Sequence, residues 1–167
     1  MLTFFLFLGL PISEEKFKTI HYSGYRILDS YSFLPTSLSQ LAETLSADKK
    51  KMGEKLKFLA ESHLVKINGV FNDELYQLCQ KKLAFPFQFA SSKLKMKSIK
   101  NLPEMKYFIS TLSGKCISAE NYKNVQKLWG LLKFKNLYQL YEYYCQLDVY
   151  LLAETFTEFR KNCFRSV

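Results

Sequence analysis

The sequence predicts a mixed α and β protein, of the α/β or α+β class, with an incomplete sheet and a helix-rich second half. Residues 25–35 are rich in β-forming side chains and end at a proline, which indicates a strand. Leucines recur at helical spacing within residues 37–51, and apolar residues do the same over about residues 137–162. The 167 residues fit one compact domain that buries a sizeable core.

Local signals predict the remaining elements in order. A second amphipathic helix is expected within residues 53–65, followed by a turn at Asn68-Gly69 and a helix over residues 72–82. Residues 79–107 contain two prolines and are expected to form loop and extended chain. Ser118 fits the N-cap of one more helix.

Residues 1–12 are almost wholly apolar but too short to span a bilayer. They lack the basic n-region and the cleavage pattern of a signal peptide. Two interpretations remain, a buried strand and the arbitrary start of a truncated gene, and we favour the second. Residues 13–167 are then treated as one domain.

The chain carries a net charge of +9, from 24 Lys+Arg and 15 Asp+Glu. This excess favours a polyanionic partner, most often a nucleic acid, and no membrane partner is expected. The four cysteines form no CxxC pair, so they are interpreted as reduced thiols of an intracellular protein. With two histidines in the sequence, a histidine-based metal site is not expected.

An acidic residue interrupts the apolar pattern of the last predicted helix. Asp148 follows Tyr144 by four residues, which places both side chains on one side of that helix. A carboxylate beside a buried face costs free energy unless a cation or strong donors meet it. Three explanations compete: Asp148 reaches solvent at the edge of the stripe, pairs with a lysine or the tyrosine, or binds a metal ion.

The segment from Tyr144 to Asp148 reads Tyr-x-x-x-Asp and resembles the third exonuclease motif of family B DNA polymerases. Four longer blocks resemble the protein-primed members of this family, which occur in viruses, organelles and mobile elements. The blocks keep the order and spacing of the family from about Ser13 to Cys163. They are "RILDSYSFLPTSLSQLAETL", "FPFQFASSKL", "LPEMKYFISTLSGKCISAENYKNVQKLW" and "LYEYYCQLDVYLLAETFTEFRKNC". The resemblance implies part of a ribonuclease-H-like 3′–5′ proofreading exonuclease domain, DNA replication from dNTPs, and a terminal protein as a partner of the parent enzyme.

The resemblance also assigns roles to single residues. Asp148 matches a metal-binding aspartate, and Tyr144 matches the tyrosine that orients the attacking water or the scissile phosphate. Ser30 matches a residue that contacts the single-stranded primer end, although Tyr31 stands where leucine is usual. Lys82 with Phe87 resembles a lysine followed five residues later by a tyrosine, whose hydroxyl the phenylalanine lacks.

The sequence also departs from the family pattern at positions that the exonuclease and polymerase reactions need. The two-metal reaction needs an Asp-x-Glu pair, which the sequence does not contain, and a second-motif aspartate that "NGVFND" resembles only by chance. The polymerase palm motifs should follow the last helix, and the sequence ends before them. We therefore expect Mg²⁺ and dNTPs to serve the parent enzyme, with metal binding weak or absent here, and this chain alone to be inactive.

Three lysines, Lys93, Lys95 and Lys97, belong to a basic segment and form either a solvated face or an electrostatic wall beside single-stranded DNA. In the neighbouring "FPFQF" run, alternation favours two of the three phenylalanines facing inward. The alternative to the polymerase interpretation is a non-catalytic DNA-binding module of the winged-helix type. Its signals are the two predicted helices and the following turn, with the "KKKMGEKLK" region entering the major groove.

Overall fold

The structure of the chain is a computed structural model that describes residues 8–13, 16–109 and 114–165. The described chain divides into two compact units, one up to Ser37 and one from Leu38 onwards. Each is described by itself below. The predicted domain boundary at residue 13 stays a prediction.

The first unit is an antiparallel sheet in the order β1-β2-β3, formed by Leu8–Ser13, Lys16–Tyr22 and Tyr25–Leu28. A two-residue turn at Ser23 and Gly24 joins the last two strands, with φ angles of 46° and 81°. Two successive positive φ angles give the turn a twist that matches paired strands. A strand therefore does occupy the end of the apolar start, while residues 1–7 lie outside the described residues.

The strand predicted over residues 25–35 is too long. It ends at Leu28, and the chain turns into a short 3-10 helix, Ser30–Ser32. The cause is local: the Asp29 carboxylate accepts a hydrogen bond from the Tyr31 amide at 3.0 Å, as Asp does at helix starts.

The second unit contains six α-helices among its described residues: α1 (Leu38–Lys51), α2 (Lys57–Glu61), α3 (Asp73–Cys79), α4 (Lys93–Ser98), α5 (Ala119–Leu132) and α6 (Leu137–Arg165). Between α2 and α3, β4 (Lys66–Ile67) and β5 (Val70–Phe71) form a hairpin around Asn68-Gly69, as the sequence predicts. The mixed α and β class is confirmed.

Helix α6 forms the centre of the second unit. Its apolar face buries Leu137, Leu140, Tyr144, Leu147 and Leu151, which helical periodicity predicts, while Phe159, the sixth member of the predicted stripe, is half-buried. Helices α1, α2 and α4 all pack against α6. The position of Asp148 is therefore set by the element around which the unit is built.

A buried polar pair joins α6 to the preceding elements. The Tyr143 hydroxyl donates to the Leu64 carbonyl at 2.8 Å, and its oxygen lies 2.9 Å from the Cys79 sulfur. Burial raises the pKa of the Cys79 thiol to about 12, so this thiol stays protonated at neutral pH. All four cysteines are free, in agreement with the expected thiols.

Two helix predictions need correction. The helix expected within residues 53–65 is reduced to α2, because Ser62 adopts extended backbone angles before the 3-10 turn His63–Val65. Residues 79–107 are not loop throughout, since α4 forms there with Ser92 as its N-cap and with Met96 buried. Among the described helices, none is both long enough and apolar enough to cross a membrane.

Candidate nucleic-acid interface

An ion pair forms the centre of the candidate site. The Lys82 Nζ lies 3.3 Å from the Asp148 Oδ2, and the two side chains are 35% and 22% exposed. Asp148 therefore pairs with a lysine at the edge of the apolar stripe, which combines the first two of the three explanations. The pair stays open to solvent on one side, where an anionic ligand can approach the lysine.

Aromatic rings form the wall of this pair. The Lys82 Nζ lies 5.9 Å from the centroid of the Tyr144 ring, and the Phe87 ring meets Tyr144 edge-on at 5.4 Å. Phe85 packs on the same ring at 5.7 Å. Burial raises the pKa of the Tyr144 phenol and the Asp148 carboxylate raises it further, so the phenol remains a hydrogen-bond donor at neutral pH.

The loop after α3 holds Lys82 and Phe87 in place. Leu83, Phe85 and Pro86 are buried and anchor the loop on the core. The amides of Phe89 and Ala90 donate to the Pro86 carbonyl at 3.1 and 3.0 Å, which closes a tight turn. Phe87 lies at the tip of that turn and is 47% exposed, so its ring can meet a ligand.

One oxygen of Asp148 has no partner. Among the described residues, Asp148 Oδ1 is the one buried side-chain nitrogen or oxygen without a hydrogen bond. Such an atom loses its water without compensation. Because this oxygen is buried, its lost hydration is a local cost of the ion pair.

A resident Mg²⁺ does not fit this arrangement. Mg²⁺ takes several oxygen ligands in octahedral geometry, whereas Asp148 supplies one free oxygen and its other oxygen faces an ammonium. No group of three or more His, Cys, Asp or Glu residues capable of holding a metal occurs in the described part of the chain.

The predicted basic face lies on α4. Lys93, Lys95 and Lys97 are exposed, and Lys95 lies over the Phe89 ring at 4.9 Å from its centroid. The Phe89 ring in turn packs on the tilted Tyr107 ring, with 4.4 Å between the ring centroids. Phe85 is buried and Phe89 partly buried, while Phe87 is exposed, as the alternation in "FPFQF" predicts.

Ser30, the fifth residue carried over from the family, belongs to the first unit, at the start of its 3-10 helix. Its role stays a prediction. The signals of a winged helix occur in the expected chain order, α1, α2 and the hairpin, although α2 has only five residues.

Sequence reasoning selects the phenylalanines of "FPFQF" as candidate stacking rings but does not select Tyr138 for this face. Of these phenylalanines, Phe85 is buried and packs on the Tyr144 ring. No sequence signal indicates Tyr138, because its partners are lysines of α4, a helix that is not predicted within the proline-containing segment.

A scan against protein-family models finds no match to this chain, and searches of curated proteins and of solved structures also find none.

Proposed function

We propose that this chain is part of a protein-primed family B DNA polymerase, from the ribonuclease-H-like region of its 3′–5′ exonuclease, and that it binds single-stranded DNA near a 3′ end inside the cell. One observation carries the proposal. Lys82, Phe87, Tyr144 and Asp148, which the family resemblance singles out at separate places in the sequence, meet in one partly exposed cluster.

The cluster offers complementary contacts to a DNA end. An ammonium group has three donors, so Lys82 can hold Asp148 and still donate to a phosphate. The exposed Phe87 ring offers a face for stacking a base, and the buried Tyr144 ring supports it edge-on. The α4 lysines extend the positive surface, which favours backbone contacts independent of base sequence.

In the parent enzyme, further carboxylates outside this sequence would hold the metal ions, and the palm would bind the dNTPs. We therefore expect no shortening or extension of labelled single-stranded DNA by the purified chain with Mg²⁺ and dNTPs. Gel analysis of the products tests this. Metal-dependent shortening that disappears in Asp148→Ala would contradict the conclusion that Asp148 lacks the partners of a metal site.

Neutralising Lys82 should weaken the binding of single-stranded DNA about threefold to tenfold, because a charge-assisted phosphate contact is lost. Lys82→Gln is compared with Lys127→Gln, an exposed position on α5 that makes the same change in net charge. Fluorescence anisotropy of a labelled oligonucleotide gives both dissociation constants. Equal losses of affinity in the two variants would show that the effect comes from overall charge and that the cluster is not part of the interface.

The winged-helix alternative is favoured by the order of α1, α2 and the β4-β5 hairpin. It predicts tighter binding to a particular duplex sequence than to single strands. Competition of duplex and single-stranded oligonucleotides for the same labelled probe separates the two functions. A clear preference for duplex would overturn the polymerase proposal.

A further inference from the structure

We propose that Tyr138 is a positioning residue for DNA binding: its ring holds Lys93 and Lys97 of α4 ready to contact the phosphates of a single strand. This inference rests on the proposed function and adds a residue that the family resemblance does not assign. The two lysines are one helical turn apart, so they lie on the same side of α4.

The ring lies within cation–π distance of both lysines. The Lys93 Nζ is 5.0 Å and the Lys97 Nζ is 5.3 Å from the centroid of the Tyr138 ring. At this distance the electron-rich face of the ring attracts each ammonium group. Two like charges are thus held near one ring, which offsets part of their mutual repulsion.

The backbone fixes the ring relative to α4. The Leu137 amide donates to the Ile99 carbonyl at 2.9 Å, which connects the residue before Tyr138 to the end of α4. Met96 of α4 is buried in the core, as are Leu137 and Leu140 of α6. The spacing between ring and lysines therefore does not depend on a flexible loop.

The lysines keep their charge available for a ligand. Among the described residues, no acidic group lies within ion-pair distance of Lys93 or Lys97, and both side chains are exposed. A free lysine side chain loses rotamer entropy when it is fixed. A ring that restricts the side chain before binding lowers that cost, whereas an acidic partner would also neutralise the charge.

The test compares Tyr138→Leu with Tyr138→Phe, which keeps the ring and removes the hydroxyl. Anisotropy with a labelled oligo(dT) is measured over a series of salt concentrations. We expect Tyr138→Leu to weaken binding about fivefold, because the unrestrained lysines then lose more side-chain entropy on binding, and Tyr138→Phe to bind like the wild type. Replacing both lysines with glutamine should reduce the salt slope by about 1.4, for two phosphates on a single strand.

The decisive variant adds Tyr138→Leu to the Lys93→Gln, Lys97→Gln protein. If Tyr138 acts through the lysines, its loss has no further effect there. A loss that persists in this background, or an unaffected single variant, overturns the positioning role and leaves the proposed function intact. Absence of binding by the wild-type chain overturns both proposals. Melting curves of every variant identify any loss that comes from unfolding.

Discussion

Replacing Leu147 with alanine should lower the free energy of unfolding of the second unit by about 2–5 kcal/mol. Leu147 is 1% exposed and lies on the buried face of α6, against which α1, α2 and α4 pack. The substitution removes buried methyl groups and leaves a cavity that the surrounding side chains fill only in part. Urea unfolding followed by circular dichroism measures the change.

Val149→Ala provides the matched control. Val149 lies two residues further along α6 but is 67% exposed, so its truncation should change stability by no more than about 0.5 kcal/mol. Asp148 lies between these two positions. A large loss of stability at Leu147 and a small one at Val149 would therefore place the edge of the core at the candidate site. Similar losses in both variants would show that the exposed face of α6 is covered by a partner or by another copy.

The second large effect is expected at Glu154. Its Oε1 accepts a hydrogen bond from the Leu59 amide at 3.0 Å, and the side chain is 7% exposed. Leu56, the N-cap of α2, makes no capping bond through its own side chain, so α6 supplies the acceptor for the first turn of α2. Glu154→Ala leaves this buried amide without a partner and should cost about 1–3 kcal/mol.

Glu154→Gln separates the hydrogen bond from the charge. The amide oxygen can accept from Leu59, so this variant should be about as stable as the wild type at neutral pH, or more stable. A loss equal to that of the alanine variant would show that the carboxylate charge, and not its hydrogen bond, stabilises α2. Urea unfolding of the three proteins at pH 7 makes the comparison.

The pH dependence of the same pair follows from the direction of the pKa shift. Burial raises the pKa of the Glu154 carboxyl above its usual 4.5, although the amides of Leu59 and Phe58 oppose the shift. The folded state therefore holds this proton up to a higher pH than the unfolded state does. As pH rises from about 4.5 through the raised pKa, the carboxyl ionises and the free energy of unfolding decreases. The Gln variant lacks that decrease. Subtracting its unfolding free energies from those of the wild type removes contributions shared by other groups, such as Glu158.

Several elements could be predicted because their signals are local. The stripe of α6, the N-cap at Ser118 and the Asn68-Gly69 turn need only neighbouring residues. Helix α4 had only one local signal, its N-cap Ser92, because its single buried residue, Met96, gives no apolar periodicity. The strand at residue 25 ended early for a similarly local reason, the capping carboxylate of Asp29.

The candidate site also contains features that the sequence predicts and features that only the fold determines. The position of Asp148 beside Tyr144 follows from helical spacing, and the need for a compensating group follows from burial. The identity of that group does not follow from the sequence, since the chain has 24 Lys+Arg and only the tertiary fold brings Lys82 to the Asp148 Oδ2. The loop that carries Lys82 is held by Pro86, whose burial is likewise a property of the folded chain.

The central place of α6 has a consequence for how the chain is made. Helices α1, α2 and α4 leave the ribosome before the helix that covers their apolar faces, because α6 (Leu137–Arg165) follows all three along the chain. Contacts between segments so distant along the chain are slow to form. Nascent copies of this polypeptide therefore expose hydrophobic surface until α6 has been synthesised, and chaperones that bind such surface have their longest opportunity during that interval.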